Sequence, residues 1–201
     1  MEDAALSAQQ PENRMSLTTL DPVTALIVID LQKGIVSHPT AQPVGEVIQH
    51  AAALAAAFRR HRLPVVLVNV TGGAPGRAEQ PRRVGQMPAD WAELVPELDR
   101  QPTDHTVTKR TWGAFTNTGL EAWLKARGVT QVVVVGVSTS IGVESTARQA
   151  YEAGFNVTLA LDAMTDMSPE AHAHTTTRIF PRLGETGSTA EIIALLGATR
   201  A

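Results

Sequence analysis

Apolar residues fall along the chain in two alternating patterns. Continuous runs of strand length, rich in β-branched residues, occupy 24–31 (TALIVIDL), 64–70 (PVVLVNV), 131–137 (QVVVVGV) and 156–163 (NVTLALDA). Runs of this kind predict strands buried on both faces. A shorter segment, HTVTK at 105–109, predicts one more strand. Helical patterns lie between them. Residues 44–61 are Ala-rich and place Val47, Ile48, Leu54 and Phe58 at helical spacing. Residues 117–128 predict a helix closed by Gly128, and 142–154 predict another. Ser188 and Glu191 stand at capping-box spacing ahead of IIALLG.

Strands alternating with helices predict an α/β fold, a three-layer α-β-α sandwich with a Rossmann-like parallel sheet. Crossovers of such a sheet are right-handed. One domain is expected over 20–201, preceded by a flexible tail at 1–19. In open parallel sheets ligands bind beyond the carboxyl ends of the strands. That rule selects Asp30, the segment 70–73, Lys109, the segment 136–142 and Asp162. The Gly/Pro-rich stretch 71–91 is long for a connection in a compact domain, and such loops are usually functional or mobile.

Composition narrows the chemistry. Of 201 residues 43% are hydrophobic, enough for a full core, and the formal net charge of -3 argues against a nucleic-acid-binding protein. The basic cluster between Arg77 and Arg83 reads first as a solvated loop and second as an anion contact. The absence of cysteine excludes disulfides, cysteine-ligated zinc and thiolate catalysis. No apolar run approaches the ~20 residues of a membrane span. The polar start MEDAALSAQQPENRMS lacks a signal-peptide core. A cytoplasmic protein with a small-molecule substrate, no membrane partner and no cofactor is expected.

Asp30 ends a strand of apolar neighbours. A carboxylate there is costly to bury unless it is paired or solvated in a cleft, so it is either a local cap or salt bridge or an acid/base group. Lys109 ends another strand. It is either an exposed strand end or a group that holds Asp30, binds an anionic substrate, or both. Lys33 reads as surface, Gln32 as able to turn into the cleft, and Arg110 as pointing away from Lys109. The corner after Gly136 offers N–H groups and a helix dipole that can receive a carboxylate. Its hydroxyls do not fit a serine nucleophile, because GVSTSIG lacks the G-x-S-x-G spacing. They read as caps and turn bonds. His172 and His174 are two apart, which separates them on a helix, and no D-x-H cluster suggests a metal.

ALIVIDLQKGI, VTKRTWGAFTNTGL and VVVVGVSTSIGVESTARQAYEAGFNVTLALDAMTD together resemble the isochorismatase-like hydrolase superfamily. The resemblance implies an Asp–Lys–Cys triad in which Asp30 and Lys109 match the first two members and Gly142 takes the cysteine's place. Without a thiolate the covalent route to C–N cleavage has no attacking atom. The isochorismatases proper also carry a small, non-nucleophilic residue there. In them the aspartate protonates the vinyl-ether methylene of an enolpyruvyl group, water adds, and pyruvate leaves. The resemblance thus implies a hydrolase of a small anionic substrate, with Asp30, Lys109 and Gly142 at the catalytic centre. Gln32, Trp112, Phe115, Val137, Ser138 and Ile141 are the expected substrate contacts. It implies a cis peptide at Val137–Ser138 and a homo-oligomer, dimer or tetramer. One departure stands out: Gly72 lies near the place of a substrate-contacting glutamine, with Arg77, Arg82 or Arg83 as possible stand-ins for an arginine that follows it. Two alternatives therefore stay open: hydrolysis of another small substrate, such as an amide, by Asp-activated water, or a non-catalytic binding protein on the same fold.

Overall fold

The computed structural model describes residues 17–80 and 87–198. Most of the expected tail, and with it Arg82 and Arg83, lies outside the described residues. The strands are β1 (Thr24–Ile29), β2 (Val65–Val70), β3 (His105–Lys109), β4 (Gln131–Val137), β5 (Asn156–Thr165) and β6 (Glu185–Gly187). They form one sheet in the order β3-β2-β1-β4-β5-β6, with every pair parallel.

The β-branched runs become the central strands because only a strand covered on both faces can bury every side chain. All of β1 and β4 is buried. Alternate residues then feed two cores. Leu26 and Val28 of β1 face helices α2 (Val44–Arg60) and α6 (Thr189–Ala198). Ala25, Ile27 and Ile29 face α3 (Leu120–Lys125) and α4 (Glu144–Glu152). Two short helices, α1 (Lys33–Val36) and α5 (Pro169–His174), lie beyond the carboxyl ends of the strands.

Caps fall where the sequence places them. Gly128 is left-handed at φ 69°, and Ser188 and Glu191 exchange bonds with each other's backbone N–H. Three elements differ from expectation. Helix α3 starts only at Leu120, because Asn117 and Gly119 are left-handed and the Thr118 hydroxyl bonds back to the Ala114 carbonyl. The helix after β4 starts earlier than Gly142, as a wide π-type turn over Thr139–Val143 that runs into α4. Strand β5 carries extra residues between its pairings with Val134 and Gly136. Asp162 lies in that irregularity. It caps α6 by accepting from the Thr189 N–H and hydroxyl, away from the ligand position the strand-end rule gave it.

The chain leaves β1 towards β2 on one side, and β4 returns on the other. The segments after β1 and β4 therefore flank the point where strand order reverses, the place where open α/β sheets bind ligands. No helix among the described residues is long and apolar enough to cross a membrane.

Candidate active site

Asp30 is the first residue after β1, and its backbone is left-handed at φ 50°. That region is sparsely populated by non-glycine residues, with aspartate among those that tolerate it. The position has a use. Continued alternation would send Asp30 towards α2, with Leu26 and Val28. The turn frees it from that pattern, and its carboxylate meets Lys109, which shares a face of β3 with Val107. The pair is 2.7 Å apart, with side chains 8% and 2% exposed.

Two buried charges are tolerated only when attraction and hydrogen bonds offset lost hydration. The ammonium has three N–H groups, and the protein uses all three. They go to Asp30 Oδ2 at 2.7 Å, the Trp112 carbonyl at 2.7 Å and the Thr111 carbonyl at 3.3 Å. Of the two roles open to Lys109, this geometry serves the orientation of Asp30. The carbonyls are themselves fixed from α4. Thr146 Oγ1 accepts from the Ala114 N–H, Gln149 Oε1 accepts from the Phe115 N–H, and Gln149 Nε2 donates to Thr116 Oγ1. Gly113 allows this approach, since a Cβ there would collide with the Gln149 amide.

Gly142 faces the same carboxylate. An ideal Cβ built on it would lie 3.3 Å from Asp30 Oδ2, 3.4 Å from the Val137 carbonyl and 2.9 Å from Ile29 Cγ2. The first distance puts position 142 at the acid. The last is closer than carbon atoms pack, so the glycine also lets the helix start sit against the end of β1. Gly136, paired with Ile29 within the sheet, has φ 117°, and a Cβ there would collide with the Ile29 carbonyl. The peptide Val137–Ser138 is cis.

The corner's N–H groups are less available than the sequence suggests. Asp166, 3% exposed, accepts from the Ser140 N–H at 2.7 Å and its hydroxyl at 2.8 Å. The Ile141 and Val143 N–H groups both donate to the Ser138 carbonyl. Thr139, fully buried, bonds His172 Nδ1 at 2.9 Å. Burial holds the His172 imidazole below its usual range, while nearby Asp166 pulls the other way. Asp166 and His172 were missed as site residues. Their sequence signal is faint: Asp166 is an acid just past a strand end, and His172 is one of two histidines in a short helix.

The expected contacts divide into two groups. Trp112, 64% exposed, and Ile141, 39% exposed, border the site beside Lys109 and Gly142, and Met167 joins them through its sulfur, 3.0 Å from Ser138 Oγ. The others build the wall. The Gln32 side chain is buried and spans β1 and β2, accepting from the Val70 N–H at 2.7 Å and donating to the Val70 and Trp91 carbonyls. Val137 sends its side chain into the core with α2 and turns its carbonyl to position 142. The Phe115 ring packs 6.0 Å from Phe155, in the core with α3 and α4. Lys33 is exposed and pairs with Asp90 and Glu93. Arg77 is exposed, and Arg110 packs along Gly72, its Cγ 3.3 Å from a virtual Cβ there. Among the described residues no group of three or more His, Asp or Glu side chains is arranged to hold a metal ion.

Known proteins share this fold. The isochorismatase domain family matches residues 24–191. The isochorismatase family protein YwoC of Bacillus subtilis (strain 168) is 45% identical over 177 residues, covering 85% of this chain and 92% of its own. The solved structure of an isochorismatase family protein from Burkholderia thailandensis superposes with a TM-score of 0.87 at 41% identity, covering 90% of this chain and 100% of that one. More distantly, the ureidoacrylate amidohydrolase RutB of Pseudomonas syringae pv. syringae (strain B728a) is 28% identical over 177 residues, covering 73% of this chain and 72% of its own. The chain belongs to the isochorismatase family, whose members are hydrolases.

Proposed function

We propose that the chain hydrolyses a small anionic substrate without a covalent intermediate, with Asp30 as the group that transfers the proton. The observation that carries this reading is the absence of any side chain at position 142, beside the acid. A nucleophile's side chain would start 3.3 Å from Asp30 Oδ2, and with glycine no attacking atom of the chain stands in front of the carboxylate. The substrate then meets the carboxylate directly. Lys109 holds Asp30 in place and has no N–H left for another partner. A vinyl ether of the isochorismate type suits the site, because protonation of its methylene by Asp30 makes an oxocarbenium ion that water attacks, releasing pyruvate. Trp112, Ile141 and Met167 supply an apolar rim that excludes water from the approach.

A second reading has one observation in its favour: a relative over most of the chain is an amidohydrolase. In that case Asp30 activates water for attack on a C–N bond, and the step needs no side chain at 142 either.

Purified protein incubated with isochorismate and with a panel of small amides separates the two. Pyruvate from isochorismate is the expected result, and ammonia or amine from an amide replaces it with the second reading. Turnover of neither class removes both.

A further inference from the structure

The opposite edge of the sheet, where the strands begin, holds a cavity of about 700 Å³. That volume lies in the range of small-molecule sites. Its walls carry three arginines, Arg59, Arg62 and Arg127, together with His61, against a single acid, Asp104. This concentration of positive charge sits on a chain whose formal net charge is -3.

Two of the guanidinium groups are held in place. Arg59 grips Asp104 with two bonds, at 3.1 and 2.6 Å, and donates a third to the Leu98 carbonyl at 3.1 Å. Arg127 lies over the Trp123 ring, 3.8 Å from its centroid, and the other face of that ring is stacked on His105 at 4.0 Å. Only Arg59 of the three has a carboxylate partner among the described residues. Arg62 and Arg127 line the cavity without one, and Arg127 donates to the Trp123 carbonyl at 3.3 Å.

Arg62 carries the strongest sign of use. Helix α2 ends in a Schellman arrangement, with the Leu63 N–H on the Phe58 carbonyl at 2.9 Å and the Arg62 N–H on the Arg59 carbonyl at 3.0 Å. The left-handed residue of that motif is ordinarily glycine. Here it is an arginine at φ 56°. Glycine would fit that backbone with less strain, and the arginine that stands there instead lines the cavity.

We propose that this cavity binds a small, multiply charged anion, a molecule bearing phosphate or carboxylate groups that the planar guanidinium forks can bind in pairs. It is separate from Asp30, which lies beyond the other ends of the same strands, and it does not depend on the hydrolytic reading. Isothermal titration at low ionic strength tests it, with pyrophosphate as the phosphate probe and citrate as the carboxylate probe. Saturable binding at one site per chain is expected, and the tighter probe names the class. Arg62→Gly and Arg127→Gln should each weaken binding by about tenfold or more. Arg62→Gly is the decisive variant, because glycine fits the left-handed position and its melting temperature should equal or exceed that of the parent. Arg148→Gln, on the surface of α4, should leave binding unchanged. The proposal is overturned if neither anion binds saturably, if Arg62→Gly binds as tightly as the parent, or if Arg148→Gln weakens binding as much as Arg62→Gly does.

Discussion

Two lysine–carboxylate clusters stand beyond the end of β1, and they differ in almost everything but chemistry. Lys33 bridges Asp90 at 3.1 Å and Glu93 at 2.6 Å with its side chain 44% exposed. Lys109 meets Asp30 at 2.7 Å with both partners withdrawn from water. The first cluster is solvated, screened and replaceable, and surface pairs of this sort contribute little to stability. The second bears the cost of desolvation, and two backbone carbonyls are aimed at its ammonium. A fold seeking only stability would fill that space with apolar side chains. Keeping a charged pair there, at the switch point of the sheet and beside Gly142, is what the proposed role of Asp30 asks for.

The largest effect should come from breaking the buried pair. Asp30→Asn strands the Lys109 ammonium, and Lys109→Met strands the Asp30 carboxylate. Each should cost about 3–5 kcal/mol. For a chain of this size that is a fall of more than about 6 °C in melting temperature, readable by calorimetry. Lys109→Met should lower kcat/KM equally for an anionic substrate and its neutral ester, because Lys109 spends its donors inside the protein. A loss confined to the anion would make it a substrate anchor.

A smaller effect lies behind the site, at His172. Burial lowers its folded pKa below the unfolded value of about 6.5, so the unfolded chain binds the proton more readily. Its contribution to stability is complete above that pH and is lost as pH falls through the window beneath it. His105 is shifted in the same direction, by burial first and by Arg127 second. His172→Asn can keep a bond to Thr139 without titrating. Its melting temperature should fall less than the parent's between pH 7 and pH 5, and equal slopes would remove His172 from the acid response.

The smallest effect belongs to the exposed cluster. Glu93 and then Asp90 raise the Lys33 pKa through hydrogen bonds, yet all three side chains are open to solvent. Lys33→Met should leave both melting temperature and turnover within measurement error.

How much of this was legible in the sequence follows from what each feature is made of. β1 and β4 announce themselves because a strand covered on both faces has no polar residue to interrupt it. Asp30 is legible for the same reason, as the charged residue that ends such a run, whereas Lys109 ends a short, alternately buried strand and is legible only from its place at a strand end. The cap at Gly128 and the Ser188–Glu191 box are local, and local chemistry shows in a short window. What stayed hidden is long-range or made of backbone. The carbonyls of Thr111 and Trp112 have no side-chain signature, so the saturation of Lys109 could not be read. Asp166 reaches Ser140 across 26 positions of sequence. Phe115 and Gln32 have side chains suited to a binding site, but only tertiary contacts show one turned to the core and the other spent on β2. The irregularity in β5 that draws Asp162 away to α6 has no marker in a run of apolar residues.

The most direct test is the double variant Asp30→Asn with Lys109→Met, which removes both buried charges together. Its melting temperature should recover much of what either single change loses, since no charge is left stranded. Its turnover of whichever compound the substrate panel identifies should remain lower by about 100-fold or more, because the proton-transfer group is gone. A double variant that is both well folded and fully active would contradict the account, and would make Asp30 and Lys109 a structural pair.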